Sequence, residues 1–430
     1  MSFGTSLTGL NAAQSELNIT GDNIANSSTW GFKESRPEFA DLFASSNLGV
    51  TGLAIGQGVR LQNVGQQFSQ GQFDFTENSL DLGISGKGFF RLSDDGDISY
   101  TRSGAFQLDR EGWITNSAGK RLTGFAADGD GNIVGDGQQE LRVETGNVAP
   151  EATTEARIQA NLNAGAEIPP AYTLDADDRL ADFDQLEWVG PDENNPVPGA
   201  VFDPRDTATF NESTSTTFFD SLGRQHTANF YFIKGNDNDW YVHTEVDGEV
   251  LNNGQPQPIS FGPNGLIEGN ATFDYTRALA DAEDLDFELD LESLTQFGTP
   301  FAVSDITQDG FAAGEFSSLD VSEDGTIFAR FTNGQSEVLG RVGVTKFPSQ
   351  ENLQPVGDTE WVATFEAGEP VVGTAGTSDF GSIESGALEQ SNVDISEQLV
   401  KMIVAQRNFS ANAKMISTED QITQEILNIR

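Results

Sequence analysis

Residues 3–24 read FGTSLTGLNAAQSELNITGDNI, and residues 388–416 read LEQSNVDISEQLVKMIVAQRNFSANAKMI. In the first stretch Phe3, Leu10, Leu17 and Ile24 recur every seven residues, with Leu7 on the neighbouring track. In the second, Leu388, Ile395, Met402, Phe409 and Ile416 repeat the same interval, with Leu399 beside them. A seven-residue apolar repeat lays a narrow stripe along a helix, the geometry of a coiled-coil seam. Short isolated helices are marginal in water, so each stripe needs a partner. The pattern predicts a helix at each end, pairing with the other terminus or with other copies of the chain. Gln14 and Gln406 fall at matching polar positions, and a polar residue in such a seam fixes register.

Between the ends the period changes to two. Leu80, Leu82 and Ile84 alternate with small or polar neighbours, and Asp94-Asp95-Gly96-Asp97 has the chemistry of a hairpin turn. The turns Asp109–Gly112 and Asn116–Gly119 continue a meander of short strands. The same rhythm returns at Leu319–Val321, Ser322–Gly325, Thr326–Phe331 and Thr332–Gly334. Two blocks with matching turn spacing predict one β-domain split by an insertion, as happens where domain termini lie close together. Within the insertion, Leu285, Phe287, Leu289 and Leu291 alternate with Asp284, Asp286, Glu288, Asp290 and Glu292, which predicts a strand with one core face and one acidic face that discourages edge pairing. Asp394 with Glu397 three residues on marks the start of the last helix as a capping box. The fold class expected is therefore mainly β with terminal α-helices, the two helices pairing as a coiled coil. The domains nest as 1–25 with 394–430 (helical), 26–72 with 366–393 (connector), 73–148 with 294–365 (β-domain) and 149–293 (inserted β-domain).

Composition narrows the function. At 430 residues the chain exceeds one ordinary core. A formal charge of -44 argues against binding nucleic acid or anionic membrane surfaces. With 37% hydrophobic residues and 31 Phe it is not a disordered composition. Cysteine is absent, so disulfides and thiol chemistry are excluded. No apolar run reaches the roughly 18–20 residues of a membrane span. The first residues lack the basic and apolar regions of a cleavable leader, which leaves a cytoplasmic location or export without leader removal. The acid is concentrated in the middle: beyond Ile395, Glu397, Glu419, Asp420 and Glu425 are balanced by Lys401, Arg407, Lys414 and Arg430. Such a terminal helix can lie beside copies of itself while an acidic body keeps the chain soluble. That body also suits high salt, where the Debye length falls to about 3 Å at 1 M.

Sites for chemistry are scarce. His226 and His243 are the only histidines, both in predicted strands, and a metal site or triad would need more. Asp128-Gly-Asp130-Gly-Asn132 opens like a calcium loop, but Ile133 and Gln139 stand where Gly and Glu are required. Carboxylate pairs are too numerous to be specific. No catalytic residue, cofactor or metal site is expected.

Asn23-Ile-Ala25-Asn26 followed by Thr29-Trp-Gly31-Phe32-Lys33 resembles the N-terminal signature of bacterial flagellar hook proteins, within the wider group of flagellar axial proteins. Gly83–Phe90, Thr101–Phe106 and Gly112 resemble the rod/hook β-domain, with Thr295–Gly298, Gln308–Gly310 and Gly325 like its returning half. Ser385–Val393, containing Gln390, Asn392 and Val393, leads into Met402–Phe409 like the C-terminal signature. The likeness spans nearly the whole chain and fits least well over about 165–212, which looks like a local expansion. The resemblance implies a non-enzymatic, self-assembling subunit of a curved tubular polymer, with paired terminal helices lining an inner tube. It implies rod, hook-cap and hook–filament junction proteins as partners, and export through a type III apparatus to an extracellular location without a cleaved leader. Membrane insertion is not implied. A distal rod protein is the nearest alternative; the large insertion favours hook. A secreted acidic β-protein that binds or cleaves glycans is a further alternative, and it leaves the two terminal repeats unexplained.

Overall fold

Turn chemistry sets the strand boundaries. Asp95 and Gly96 both adopt positive φ, 49° and 106°, so the strands Phe89–Asp94 and Asp97–Thr101 are joined by a tight two-residue turn. The computed structural model describes residues 3–42, 56–128, 131–133, 137–143, 146–169, 202–235, 238–377 and 379–428. The chain divides into two compact units. One comprises Met1–Thr145, Ser317–Arg330 and Ser336–Arg430; the other comprises Gly146–Phe316 and Phe331–Gln335.

In the first unit a twelve-stranded sheet interleaves the two sequence blocks. Strand Ser336–Lys346 pairs antiparallel with Arg121–Ala126, placing Gly340 opposite Ala126, and with Phe89–Asp94, placing Val344 opposite Phe90. One discontinuous β-domain results, completed only when the chain returns from the insertion. Its period-two pattern turns Leu82, Ile84, Phe90, Leu92 and Leu122 fully inward. A second cluster joins Phe89, Tyr100, Phe347, Leu353 and Trp361, with Phe68 against it. Its rings meet edge to face at centroid distances such as 4.7 Å for Tyr100–Phe347 and 5.8 Å for Phe89–Trp361.

The expected connectors contain regular structure. Ser35–Asp41 and Val59–Gln66 form an antiparallel hairpin with a register shift at Glu38/Phe39. On the returning side, Ser382–Ser385 pairs with Leu82–Ser85, and Ala387–Glu389 pairs with Phe73–Phe75. Leu388 therefore belongs to a strand, where it is buried, and not to the helical repeat assigned to it. Its seven-residue spacing from Ile395 is coincidental, because the helix begins only after Asp394.

The second unit consists of two sheets sharing one core. A five-stranded sheet has the order Thr272–Arg277, Leu285–Asp290, Glu155–Asn163, Thr295–Phe297, with Ala302–Gln308 also on Glu155–Asn163. A six-stranded sheet runs Glu212–Phe219, Gln225–Lys234, Asp239–Val246, Gln257–Phe261, Ile267–Glu268, with Glu249–Val250 on Asp239–Val246. Ile158, Leu162, Phe287 and Leu289 from the first meet Phe218, Phe230, Phe232 and Trp240 from the second. The boundary expected at residue 293 is thus too early. Thr295–Phe297 and Ala302–Gln308 pair with Glu155–Asn163, and the turn after Phe331 joins the same unit through Thr332 N donating to Glu315 O at 2.9 Å. Strand Leu285–Asp290 has the expected core face, with Leu285, Phe287 and Leu289 buried. It lies between two strands, parallel to Glu155–Asn163, and on its acidic face Asp290 pairs with its register partner Arg157 at 2.7 Å. Most of the expansion expected over 165–212 lies outside the described residues, as does part of the Asp128–Asn132 turn.

Both histidines serve this unit's packing. His243 stacks on Phe202 at 4.1 Å, and burial pushes its pKa down to about 3. His226 lies between Asp247, 2.6 Å from Nδ1, and Asp220, 3.3 Å from Nε2. Burial pushes the Asp220 carboxyl up, but N–H groups of Arg224 and Leu222, the Arg224 guanidinium and His226 outweigh it and hold the pKa at about 2. A carboxyl depressed from its ordinary value of 3.8 contributes stability above that value and loses it as pH falls toward 2. Asp220→Asn is expected to lower the melting temperature of this unit at pH 7 and to flatten its stability profile between pH 4 and about 2. Calorimetry across that range, showing the same pH slope for variant and native chain, would contradict the assignment.

Candidate functional site: the terminal helix pair and its anchor

Helix α1 spans Phe3–Ala25 and helix α2 spans Ile395–Asn428. Asp394 Oδ1 accepts from the N–H groups of Ser396 at 2.7 Å and Glu397 at 3.2 Å, which caps α2. The Glu397 carboxylate pairs with Lys401 at 2.8 Å.

The helices are antiparallel, since Asn23 reaches Gln398 while Gly9 lies against Asn412. Their seam is not the apolar stripe. The buried row on α1 is Ser6, Ala13 and Thr20, itself spaced by seven, with Asn23; on α2 it is Gln398 and Ala405. Gly9 makes room for a side chain of α2: a Cβ there would stand 2.7 Å from Asn412 Oδ1. Leu10, Leu17, Ile24, Met402, Phe409 and Ile416 flank this row half-buried. Phe3 and Leu7 are 52% and 42% exposed, Leu399 47%, and Val400, Ile403 and Val404 are exposed beside it. Gln14 is exposed and bonds Asn18, and Gln406 is exposed, so neither sets the register of the pair. Of the two pairings left open by the stripe, the single chain makes only part of one: Leu10, Leu17, Ile24, Met402, Phe409 and Ile416 flank the seam half-buried, while Phe3, Leu7 and Leu399 stay exposed, because close helix contact selects small side chains. With 34 residues against 23, α2 also continues past α1, carrying exposed Ile422, Ile426 and Leu427.

The root of the pair is tied to the β-domain by a buried polar knot built from the signature residues. Glu389 lies at its centre, fully buried. Lys33 Nζ donates to Glu389 Oε1 at 2.6 Å and to Ser69 O at 2.8 Å, and Arg102 Nη1 donates to Glu389 Oε2 at 3.2 Å. Gly71 N donates to Glu389 Oε1 at 2.9 Å, and Arg102 also donates to the carbonyls of Ile84 and Gly86. Burial pushes the Lys33 ammonium below its ordinary pKa against the pull of Glu389, and burial lowers Arg102 likewise. Gly31, at φ 70°, passes so close to the segment after strand Asp97–Thr101 that a Cβ would lie 2.4 Å from Ser103 N. Its own N–H bonds Glu389 O at 2.8 Å.

A second layer fastens the helices. Asn23 exchanges two hydrogen bonds with the Ser35 backbone, at 2.8 and 2.9 Å. Asn392 accepts from Glu34 N at 2.8 Å and donates to Gln67 O at 2.7 Å. Glu34 Oε1 takes Gln398 Nε2 at 2.8 Å and Lys401 Nζ at 2.9 Å. Asn26 closes the turn after α1 by donating to Asp22 and accepting from Thr29 Oγ1. Gln390 N donates to Gln72 O, Phe32 and Val393 are half-buried, and Ala25 is exposed. Glu389, Arg102, Glu34, Gln398 and Lys401 were not among the residues expected from sequence. Glu389 and Arg102 do stand inside the two quoted motifs, and opposite charges in such apolar, glycine-rich surroundings are the signal that was available.

Known families match in the same order along the chain. "Flagella basal body rod protein" matches residues 3–33, "Flagellar hook protein FlgE/F/G D1 domain" 83–161, "Flagellar basal body protein FlaE D2 domain" 189–311, and "Flagellar basal body rod FlgEFG protein C-terminal" 384–429. The flagellar hook protein FlgE of Escherichia coli is 36% identical over 437 residues, covering 100% of both chains. That of Salmonella typhimurium is 35% identical over 439 residues, also across 100% of both, and that of Borreliella burgdorferi 28% over 478 residues. The crystal structure of Helicobacter pylori flagellar hook protein FlgE2 aligns with a TM-score of 0.52 at 15% identity, covering 74% of this chain and 100% of that one, which supports the mainly β fold. Nested β-units, paired terminal helices and full-length identity agree: the chain belongs to the flagellar hook protein FlgE family, structural proteins of the bacterial flagellum.

Proposed function

We propose that this chain polymerises through its terminal helices into the curved tube of the hook, linking rod to filament and transmitting torque as a universal joint. One observation carries the proposal: α1 and α2 bury small and polar residues between them and leave Phe3, Leu7, Leu399, Val400, Ile403, Val404 and Ile422 exposed. An apolar stripe of this length, unfilled in the single chain, is an interface for further copies. The knot around Glu389 gives the helix pair a stiff root, so strain in the tube passes to the β-domain instead of bending the connector. The chain works without catalysis or cofactor. Its partners are itself, the rod, the hook cap, the hook–filament junction proteins and the type III export apparatus, and its location is extracellular. No helix among the described residues is long and apolar enough to cross a membrane.

Negative-stain microscopy in high salt tests this directly. The full chain is expected to form hollow tubes, and a chain lacking residues 1–24 and 395–430 to remain monomeric. Tubes from the truncated chain would transfer the polymer contacts to the β-units.

A further inference from the structure

Helix α2 carries its unpaired charges in two separate blocks. Lys401 is engaged by Glu34 and Glu397, at 2.9 and 2.8 Å. Arg407 and Lys414 are exposed with no ion-pair partner among the described residues, and so are Asp420 and Glu425 further along. The first block is basic and the second acidic.

At about 3.6 residues per turn, Val400, Arg407, Lys414 and Glu425 fall on one line of α2, opposite the Gln398–Ala405–Asn412 row that faces α1. Exposed Val404 and Ile422 lie beside that line. Arg407 and Glu425 are 18 positions apart, and so are Val404 and Ile422. Eighteen residues are five full turns, so both pairs keep their face under a shift of about 27 Å along the axis. Val404 with Arg407, and Ile422 with Glu425, also have the three-residue spacing by which two positions on one helix meet a parallel neighbour.

We infer that a second copy of this chain docks its α2 parallel to the first, displaced by five turns, with Ile422 on Val404 and Glu425 on Arg407. An undisplaced parallel copy would set Arg407 against Arg407 and Lys414 against Lys414; the displacement turns repulsion into attraction. The contact joins two different patches of one chain, so each added copy leaves a free patch of each kind. Such heterologous contacts propagate into open helical polymers. The face lies opposite the α1 seam, so both contacts form at once. This inference rests on the assembly reading above and specifies its register.

The chain has no cysteine, so new thiols report the contact without background. Val404→Cys and Ile422→Cys chains, polymerised as an equal mixture and oxidised, are expected to form disulfide-linked dimers, and either chain alone is not. A bridge needs Cα atoms about 4.4–6.8 Å apart, which makes the readout specific for the register. In parallel, Arg407→Glu and Glu425→Arg are each expected to raise the critical concentration for assembly about tenfold, and the double variant to restore it. Tubes that form from the cysteine mixture without cross-links, or a double charge variant worse than both singles, would overturn this register and leave the assembly reading intact. A native chain that stays monomeric at every salt concentration removes the assembly reading and this register with it.

Discussion

Glu389→Ala is expected to lower the stability of the helix-bearing unit by about 3–5 kcal/mol, the range found when one partner of a buried ion pair is deleted. Glu389 is the single carboxylate facing both Lys33 and Arg102, and all three side chains are buried. Its loss leaves two cations in a dry site and also strips an acceptor from Gly71 N. Glu389→Gln is expected to do nearly the same damage, because shape is kept while the compensating charge is lost. Changing Lys33, Arg102 and Glu389 together to apolar residues of similar volume should recover part of the deficit, since a charged set removed whole leaves no unpaired ion. The recovery stays partial because the carbonyls of Ser69, Ile84 and Gly86 lose their donors. Urea unfolding followed in both units checks this. The first unit's transition should move to lower urea while the inserted unit's does not; no movement for Glu389→Ala would show that the knot contributes little.

Ile403→Asp is expected to leave the single chain folded and to abolish assembly. Ile403 is 51% exposed, and exposed positions away from special features usually change stability by no more than about 0.5 kcal/mol. In a polymer contact the same carboxylate would be buried without a partner. A loss of about 3 kcal/mol at that contact raises the critical concentration more than a hundredfold. Leu17→Asp or Phe409→Asp would also block assembly, but both side chains are half-buried against the α1–α2 seam, so helix pairing is expected to suffer as well. Sedimentation and helical circular dichroism on the three variants separate the effects. Normal tubes from Ile403→Asp would remove the open face from the assembly contact.

The contrast between those variants shows where sequence reading reaches and where it stops. The helix spans, the capping Asp394, the turn at Asp95-Gly96 and the split β-domain were legible, because periodicity and turn chemistry act over a few residues. The division of labour between helix faces was not. Both the Phe3–Leu10–Leu17–Ile24 stripe and the Ser6–Ala13–Thr20 row repeat every seven residues, and hydropathy selects the first. Only the packed pair, with Ser6, Ala13 and Thr20 buried and Gly9 against the Asn412 side chain, shows that the second is the seam.

The same division holds for the anchor. Lys33 was visible as a motif residue and Glu389 stood unremarked in another, 356 positions away. Local sequence alone determined that this chain has a helix at each end, an acidic β-rich middle and no cysteine chemistry, because those properties are additive along the chain. The tertiary structure decided that Lys33, Arg102 and Glu389 share one buried site, and that Phe3, Leu7, Leu399, Val400, Ile403 and Val404 stay exposed in the single chain. Both outcomes depend on which distant backbones come close enough to exclude water, and only the closed fold brings them together.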